Sequence, residues 1–317
     1  MANKINSMTE SGILAAITVV MALIAVYVPM LGIVAVLLWP LPMIVLIVRH
    51  GLRWGIMSVL VAAILTAVLV EPLISLRLAL AFAPGGIALG IGYRRGWPGV
   101  RIFTVGVIVS LAAKMAALGL VFLITNIHPF TMQFDALNDS FQKSVEIYQS
   151  FNMTEEQIEQ AKETFSQNMQ LVKLLLPMVV VLMGLMDTAL NFVIGGKVLH
   201  RLGHDVPVFP KFTEWRLPKA FLYLFGFSLV GMYWGTTREL ALLYQVSLNG
   251  NMIATFAGII QGVALYQNMT ERYHWSKILS TVVLVFIVLN GVLLQLLAFT
   301  GLFDMVFDYR RRFGRRG

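Results

Sequence analysis

Two ionisable residues lie inside long apolar stretches of this sequence, and their types and positions are the best suited to chemistry. Lys114 lies in VSLAAKMAALGL, residues 109–120, and Asp187 lies in MGLMDTALNF, residues 183–192. If both stretches cross a membrane, each charge lies near the middle of the bilayer, where an unpaired charge costs about 2.5–3.5 kcal/mol or more. The sequence therefore predicts an ion pair between Lys114 and Asp187, joined by Asn191 one helical turn further on.

This pair has two interpretations. Ionisable residues inside a membrane commonly mark a substrate or ion pathway, which makes the pair a candidate transport site. The same pair would equally well lock two helices together without any transport role. Sequence order alone does not decide whether the two stretches are neighbours, because residues 126–172 separate them.

Arg77 is the third cation of interest, about five residues into another apolar stretch. A long basic side chain at that depth commonly extends to the lipid phosphates. If it faced inward, its guanidinium would hold the anionic group of a ligand. Arg77 is therefore a candidate ligand-facing residue.

The sequence contains no recognisable set of catalytic residues. It lacks the motifs G-x-x-x-x-G-K-[ST], H-E-x-x-H and G-x-S-x-G, and it has no cysteine. His200 and His204 have the spacing of two metal ligands, but no third ligand is evident nearby. We therefore expect neither an enzyme nor a bound metal or other cofactor.

The composition indicates an integral membrane protein. Hydrophobic residues make up 58% of the 317 residues and charged residues 13%, about half the charged share of a soluble domain. The mean hydropathy is +0.79, and the apolar runs are long enough to cross a hydrocarbon core of about 30 Å. The net charge of +8 fits basic residues retained in cytoplasmic loops, so no nucleic acid partner is expected.

The apolar runs predict an all-α, polytopic transmembrane helical bundle of about nine spans, with a range of eight to ten. The predicted spans are 11–28, 31–48, 54–70, 73–92, 102–125, 174–199, 219–235, 251–268 and 278–300.

The distribution of basic residues predicts the orientation. Arg49 and Arg53 follow the second predicted span, and Arg94 and Arg95 follow the fourth. By the positive-inside rule these connections are cytoplasmic, which puts the N-terminus in the cytoplasm. The basic tail 308–317 would then lie outside, unless a hairpin at Asn290-Gly291 returns it to the cytoplasm, which we favour.

Residues 126–172 predict an amphipathic helical hairpin on the outer face. They contain seven acidic residues and two lysines, and Thr154-x-x-Gln157 is a capping box. The hairpin would be either a solvated cap or a lid over a ligand site. The chain is thus divided into a five-span membrane region, 1–125, the external hairpin, 126–172, and a C-terminal membrane region with a basic tail, 173–317.

Small residues form a stripe along the first predicted span, and they include Gly12, Ala15 and Ala16. Such stripes let helices approach closely, usually within one chain. They serve equally well as a docking surface for another membrane subunit.

Four stretches resemble the YybS-like family of uncharacterised bacterial membrane proteins: TESGILAAITVVMALIAVYVP, PGGIALGIGYRRGW, IIQGVALYQN and TGLFDMVFDYRRR. That family is distantly similar, over about residues 8–125, to the substrate-binding S components of energy-coupling factor vitamin transporters. The resemblance implies that Gly12, Ala15 and Ala16 dock a transmembrane coupling subunit, and that a vitamin-like molecule is held near the outer face. The chain departs from the S-component pattern by its nine predicted spans, where six are usual, and by the inserted hairpin.

Two main hypotheses about function follow. The first is a substrate-binding subunit for small-molecule uptake, driven by partner ATPases because the chain has no nucleotide-binding motif. The second is a non-transport scaffold or regulatory protein of the cell envelope. A self-contained proton-coupled transporter ranks last, because the sequence shows no internal repeat. In all three cases the lipid bilayer surrounds the chain.

Overall fold

The architecture is all-helical. The computed structural model describes residues 2–126, 129–150, 154–207 and 211–314. Helix accounts for 89% of the described residues and these ranges contain no strand, which confirms the predicted all-α class. Their α-helices are α1 Ala2–Tyr27, α2 Pro29–Leu38, α3 Leu41–His50, α4 Leu52–Leu69, α5 Pro72–Arg94, α6 Gly99–Thr125, α7 Pro129–Ser150, α8 Glu155–Arg201, α9 Ala220–Thr237, α10 Ala241–Arg272, α11 Lys277–Leu289, α12 Gly291–Phe307 and α13 Tyr309–Gly314.

Seven stretches of the described residues are long and apolar enough to cross a membrane. They are Ser7–Tyr27, Met30–His50, Leu52–Leu69, Pro72–Arg94, Gly99–Thr125, Glu155–Arg201 and Ala241–Arg272. The bent pair of α11 and α12 adds an eighth if it is counted as one broken span. The prediction of about nine spans is therefore not confirmed.

Two predicted spans account for this difference. The predicted span 219–235 forms α9, but three glycines and two threonines among its 18 residues lower its hydropathy. The predicted span 278–300 is interrupted, because α11 and α12 meet at an angle of 106°. Asn290 lies at this break and its side chain accepts hydrogen bonds from the first backbone N–H groups of α12. The side of the membrane on which the C-terminal tail 308–317 lies stays a prediction. Residues 315–317 of this tail lie outside the described residues.

The second span is kinked because prolines interrupt its hydrogen bonds. Pro40 and Pro42 have no backbone N–H to donate, so α2 ends and α3 begins at this point. The Trp39 N–H instead bonds to the Val36 carbonyl at 3.2 Å, three residues earlier rather than four. The kink leaves backbone carbonyls without a helical partner, and one of them, Leu37, is important below.

Helix α8 is the largest departure from the predicted arrangement. Thr154 and Gln157 form the predicted capping box at its start. From there α8 continues for 47 residues, so the second arm of the predicted hairpin and the following span are one helix. The Phe141 and Phe165 rings of α7 and α8 stack 4.0 Å apart, so the two arms do pack together. Neither a separate hairpin ending at residue 172 nor its external position is confirmed.

The chain forms two compact units, which divide it differently from the three predicted regions. The first unit comprises Met1–Ser166 and Val180–Val208, and the second comprises Gln167–Val179 and Phe209–Gly317. In the first unit the buried core surrounds the kinked span and includes Trp39, Met43 and Ile47.

The second unit is built on a close crossing of α10 and α12. A Cβ added to Gly301 would lie 2.0 Å from the Gly258 carbonyl oxygen, and one added to Gly262 would lie 2.3 Å from that of Leu297. Only glycine lets the two backbones approach this closely. By contrast, no residue of α11 is buried.

Candidate functional site

The candidate site lies in the first compact unit, within two apolar helices. Lys114 is on α6, fifteen residues after that helix begins at Gly99, and Asp187 is on α8, fourteen residues before that helix ends at Arg201. Lys114 is 8% exposed and Asp187 is 4% exposed. The structure brings these two sequence-predicted residues together as an ion pair between Lys114 Nζ and Asp187 Oδ2.

Three further groups surround the Lys114 ammonium. Its Nζ donates to Ser110 Oγ at 2.8 Å, one turn earlier on α6, and lies 3.5 Å from the Ala81 carbonyl oxygen of α5. The Phe82 ring of α5 lies 4.5 Å from Nζ, within the range of a cation–π contact. The ammonium is therefore enclosed by polar and aromatic groups from three helices.

The Asp187 carboxylate also has hydrogen-bond donors at both of its oxygens. Ser110 Oγ lies 3.1 Å from both carboxylate oxygens, and Thr188 Oγ1 donates to Oδ1 at 3.1 Å. Ser110 thus accepts from the lysine and donates to the aspartate, which links the two charges into one network. Sequence reasoning overlooked Ser110 and Thr188, although a hydroxyl one turn before Lys114 and another next to Asp187 were available signals.

Asn191 lies beside the pair rather than within it. Its Nδ2 donates to the Asp187 backbone carbonyl and to the Leu37 carbonyl, each at 2.7 Å. Leu37 is the carbonyl that the proline kink frees, so Asn191 connects α8 to the end of α2. The Asn191 Oδ1 atom is buried and has no hydrogen-bond partner. Asn191 thus bonds to backbone groups and not to the charged side chains, as the predicted joining of the pair would require.

Glycines allow the helices around the pair to approach. A Cβ on Gly106 would lie 2.9 Å from Thr188 Cγ2, and a Cβ on Gly184 would lie 2.6 Å from Leu111 Cδ2. Both distances are shorter than a normal carbon–carbon contact of about 3.5–4.0 Å. The small residues therefore determine how closely α6 and α8 pack, and so whether the two charges can meet.

The structure does not bring Arg77 to this site. Arg77 is exposed on α5, one turn before the Ala81 carbonyl that Lys114 approaches. Among the described residues it has neither an ion pair nor a hydrogen-bond partner. An exposed arginine near a helix end is suited to contact lipid phosphates, as in the first of its two interpretations.

The predicted docking stripe on α1 is divided between two faces. Ala15 is buried, whereas Gly12 and Ala16 are exposed, and a Cβ on Gly12 would meet no atom within 4 Å. Ala15 follows Gly12 by three positions and Ala16 follows it by four, so the two alanines project from α1 in different directions. Ala15 packs inside the unit, whereas Gly12 and Ala16 remain on its surface. Of the three residues of the predicted stripe, only Gly12 and Ala16 are available to an outside partner.

A second buried polar cluster lies in the second compact unit, and sequence reasoning did not single out its members Asp304 and Arg310. Gln261 on α10 donates to Asp304 Oδ2 on α12 at 2.7 Å, and its Oε1 accepts from the Leu217 N–H at 3.0 Å. Arg310 Nε lies 3.4 Å from Asp304 Oδ2, and its Nη1 donates to the Thr213 carbonyl. Burial lowers the pKa of the Arg310 guanidinium, while the charge of Asp304 acts in the opposite direction. The sequence feature that could have indicated this cluster is Asp304, an aspartate at the end of an apolar run.

No group of three metal-ligating side chains lies close together in the part of the chain that is described. His200 lies in the last turn of α8 and His204 follows the end of that helix. Histidines at a helix C-terminus interact favourably with its free carbonyl groups.

Comparison with known proteins places the chain in a family. A family described as "Predicted membrane protein (DUF2232)" matches residues 16–305, which include Lys114, Asp187 and Asp304. The chain belongs to the DUF2232 family. Among its relatives is "Uncharacterized protein YybS" of Bacillus subtilis (strain 168), which is 25% identical over 315 residues, covering 96% of this chain and 98% of the relative. No solved structure matches the chain.

This DUF2232 protein is thus a multi-pass membrane protein, and its exposed apolar helices imply contact with lipid. The YybS-like resemblance read from the sequence is confirmed, whereas the similarity to S components is not shown.

Proposed function

We propose that this protein is the substrate-binding membrane subunit of a small-molecule uptake system, and that it does not catalyse a reaction itself. The observation that carries the proposal is the buried pair of Lys114 and Asp187 inside two candidate spans. Ionisable residues at this depth are costly, and they commonly mark the path of a substrate or an ion.

The contacts of the pair offer a way for a charged ligand to bind. A ligand carboxylate would compete with Asp187 for the Lys114 ammonium, and a ligand ammonium would compete with Lys114 for the Asp187 carboxylate. A ligand that carries both groups would keep each buried charge paired, so this exchange costs less than breaking the pair in hydrocarbon. Asn191 would transmit a movement of α8 to the α2–α3 kink through its bond to the Leu37 carbonyl.

Partner proteins would supply the energy, as the S-component resemblance implies. ATPases and a transmembrane coupling subunit are part of the proposal, with the N-terminus in the cytoplasm and the chain in the bacterial cytoplasmic membrane. The exposed Gly12 and Ala16 on α1 support docking of such a subunit, because small residues allow close helix–helix contact.

The first test is gentle purification from native membranes, followed by mass spectrometry of the proteins and metabolites that remain bound. One enriched small molecule, or ABC-type ATPases together with a coupling subunit, would support the uptake role. Absence of both would contradict it.

The second test uses the charge-swapped variant Lys114→Asp/Asp187→Lys. This variant can reform the ion pair but exchanges the helices that carry the two charges. We expect its resistance to unfolding to recover relative to the single variants, while the bound metabolite is lost. Arg77→Gln serves as a control that removes an exposed charge. If the swapped protein retains the metabolite unchanged, these residues do not bind it.

A membrane scaffold of the cell envelope is the second candidate. It is favoured by α11, which has no buried residue and exposes large side chains such as Ile278 and Leu289. Enrichment of cell-envelope proteins in the same purification, without a small molecule, would favour this role.

A further inference from the structure

A strongly basic cavity lies at one end of the first compact unit, away from the Lys114–Asp187 pair. It has a volume of about 560 Å³ and is formed where α3 ends, α4 begins and α5 ends. Its polar lining comes from His50, Arg53, Trp54, Arg94 and Arg95. Leu52 and Ile91 provide an apolar wall beside these groups.

The charges of this cavity are not balanced by its own lining, which contains three guanidinium groups and no carboxylate. Glu10 approaches from α1, but it is already bonded to His50 Nε2 at 2.7 Å and to Arg49. Neither Arg53 nor Arg95 has a carboxylate partner in the described part of the chain. An anion is the ligand that this combination would attract.

Arg94 is held in place by the turn between α3 and α4. Its Nη1 donates to the Ile47 carbonyl at 3.0 Å, which leaves other N–H groups of the guanidinium for a ligand. The backbone of Gly51 lies directly against it, because a Cβ there would be 2.3 Å from Arg94 Nη1. Gly51 also has φ of 103°, a conformation that favours glycine. The cavity is therefore a built arrangement in which one arginine is fixed by the fold.

The start of α4 adds to the attraction for an anion. Gly51 precedes α4 and provides no side-chain cap, so the first N–H groups of this 18-residue helix have no intrahelical partner. The positive end of the helix dipole lies at the same place. Guanidinium groups together with free backbone N–H groups are the donors that phosphate oxygens prefer.

The position of the cavity identifies the source of the phosphate. Three candidate spans, Met30–His50, Leu52–Leu69 and Pro72–Arg94, have an end at this cavity, which is the level of lipid headgroups in a bilayer. Trp54 in the lining and Trp97 nearby are typical of that interface. We infer that the cavity binds the phosphate of an anionic phospholipid through Arg53, Arg94 and Arg95, with an acyl chain against Leu52 and Ile91.

The test measures lipid binding to the full-length purified protein in detergent by native mass spectrometry. Phosphatidylglycerol and cardiolipin are titrated against zwitterionic phosphatidylcholine. The variant is Arg53→Gln/Arg95→Gln, since both side chains are exposed and neither forms an intramolecular hydrogen bond given by the structure. The control is Lys197→Gln/Arg201→Gln, which removes the same charge from exposed positions outside the cavity.

We expect the anionic lipids to bind more tightly than phosphatidylcholine, and the cavity variant to weaken that binding by about tenfold or more. The control variant should bind as the unmodified protein does. Equal loss in both variants would overturn the proposal, because it would indicate general attraction to a basic surface. Equal binding of phosphatidylcholine would also overturn it.

A competition arm distinguishes a lipid from a soluble phosphate ester. Glycerol 3-phosphate carries the same phosphate group without acyl chains. If it fails to displace phosphatidylglycerol at equal concentration, the lipid source is upheld. Displacement at equal concentration would uphold the phosphate site but assign it to a soluble ester.

Discussion

Lys114 Nζ on α6 forms an ion pair with the Asp187 carboxylate on α8, although 73 residues separate them in the sequence. Ser110 is bonded to both partners, so the two charges and one hydroxyl form a single buried network. The stability of the first compact unit should therefore depend on both charges together.

The single variants Lys114→Met and Asp187→Asn should each destabilise the protein by about 3–5 kcal/mol, because each leaves the opposite charge buried and unpaired. The double variant Lys114→Met/Asp187→Asn should be more stable than the sum of the single losses predicts. The measurement is the free energy of unfolding in mixed detergent with increasing sodium dodecyl sulfate. Additive losses in the double-mutant cycle would show that the two side chains do not interact.

Gly106→Ala should destabilise the protein by about 1–3 kcal/mol, because the added methyl group would press on Leu89 and on Thr188, which bonds to Asp187. Gly119→Ala is the matched control on the same helix, since a Cβ there meets no atom within 4 Å. That control should be neutral or slightly stabilising, as alanine favours helix over glycine. Thermal unfolding in detergent compares the two, and equal midpoints would contradict the close packing of α6.

Gly301→Ala should be more damaging than Gly106→Ala, because its methyl group would meet the backbone carbonyl of Gly258 rather than a movable side chain. A backbone contact cannot relax by a change of rotamer. Gly226→Ala in α9 is the control, with no atom within 4 Å of its Cβ. The yield of monodisperse protein in size-exclusion chromatography should fall for Gly301→Ala only. A normal yield would show that α10 and α12 do not cross this closely.

Asp304→Asn should cost about 3–5 kcal/mol, because it leaves the Arg310 guanidinium buried without its counter-charge. Arg216→Gln removes the exposed ion pair to Asp308 and should cost about 0.2–1 kcal/mol. Unfolding by sodium dodecyl sulfate separates the two effects. Similar losses in both variants would mean that burial does not govern the Asp304 pair.

A reporter fused after Gly317 should give a cytoplasmic signal, because the bend at Asn290 separates α11 from α12 and the tail carries five arginines. Fusions of green fluorescent protein and of alkaline phosphatase provide opposite readouts at the same position. Fluorescence without phosphatase activity is expected. The reverse pattern would show that the tail lies outside.

Much of the fold could be read from the sequence because helix formation is local. Continuous apolar runs predicted the all-α class, and Thr154 with Gln157 predicted the start of α8. The break at Asn290-Gly291 was also predicted, since asparagine caps a helix and glycine weakens one. The predicted number of about nine spans was not confirmed, because apolar content alone does not show that a helix such as α11 is bent away from the next.

The buried sites depended on partners that no local pattern specifies. The sequence by itself put Lys114 and Asp187 at the middle of apolar helices, where each requires a partner. Only the tertiary structure decided that Ser110 links them, that Asn191 bonds to the kinked span, and that Asp304 meets Gln261. It also decided that Ala15 faces inward while Gly12 and Ala16 do not. The physical reason is that helical periodicity determines which residues share a face, whereas long-range packing determines what that face contacts.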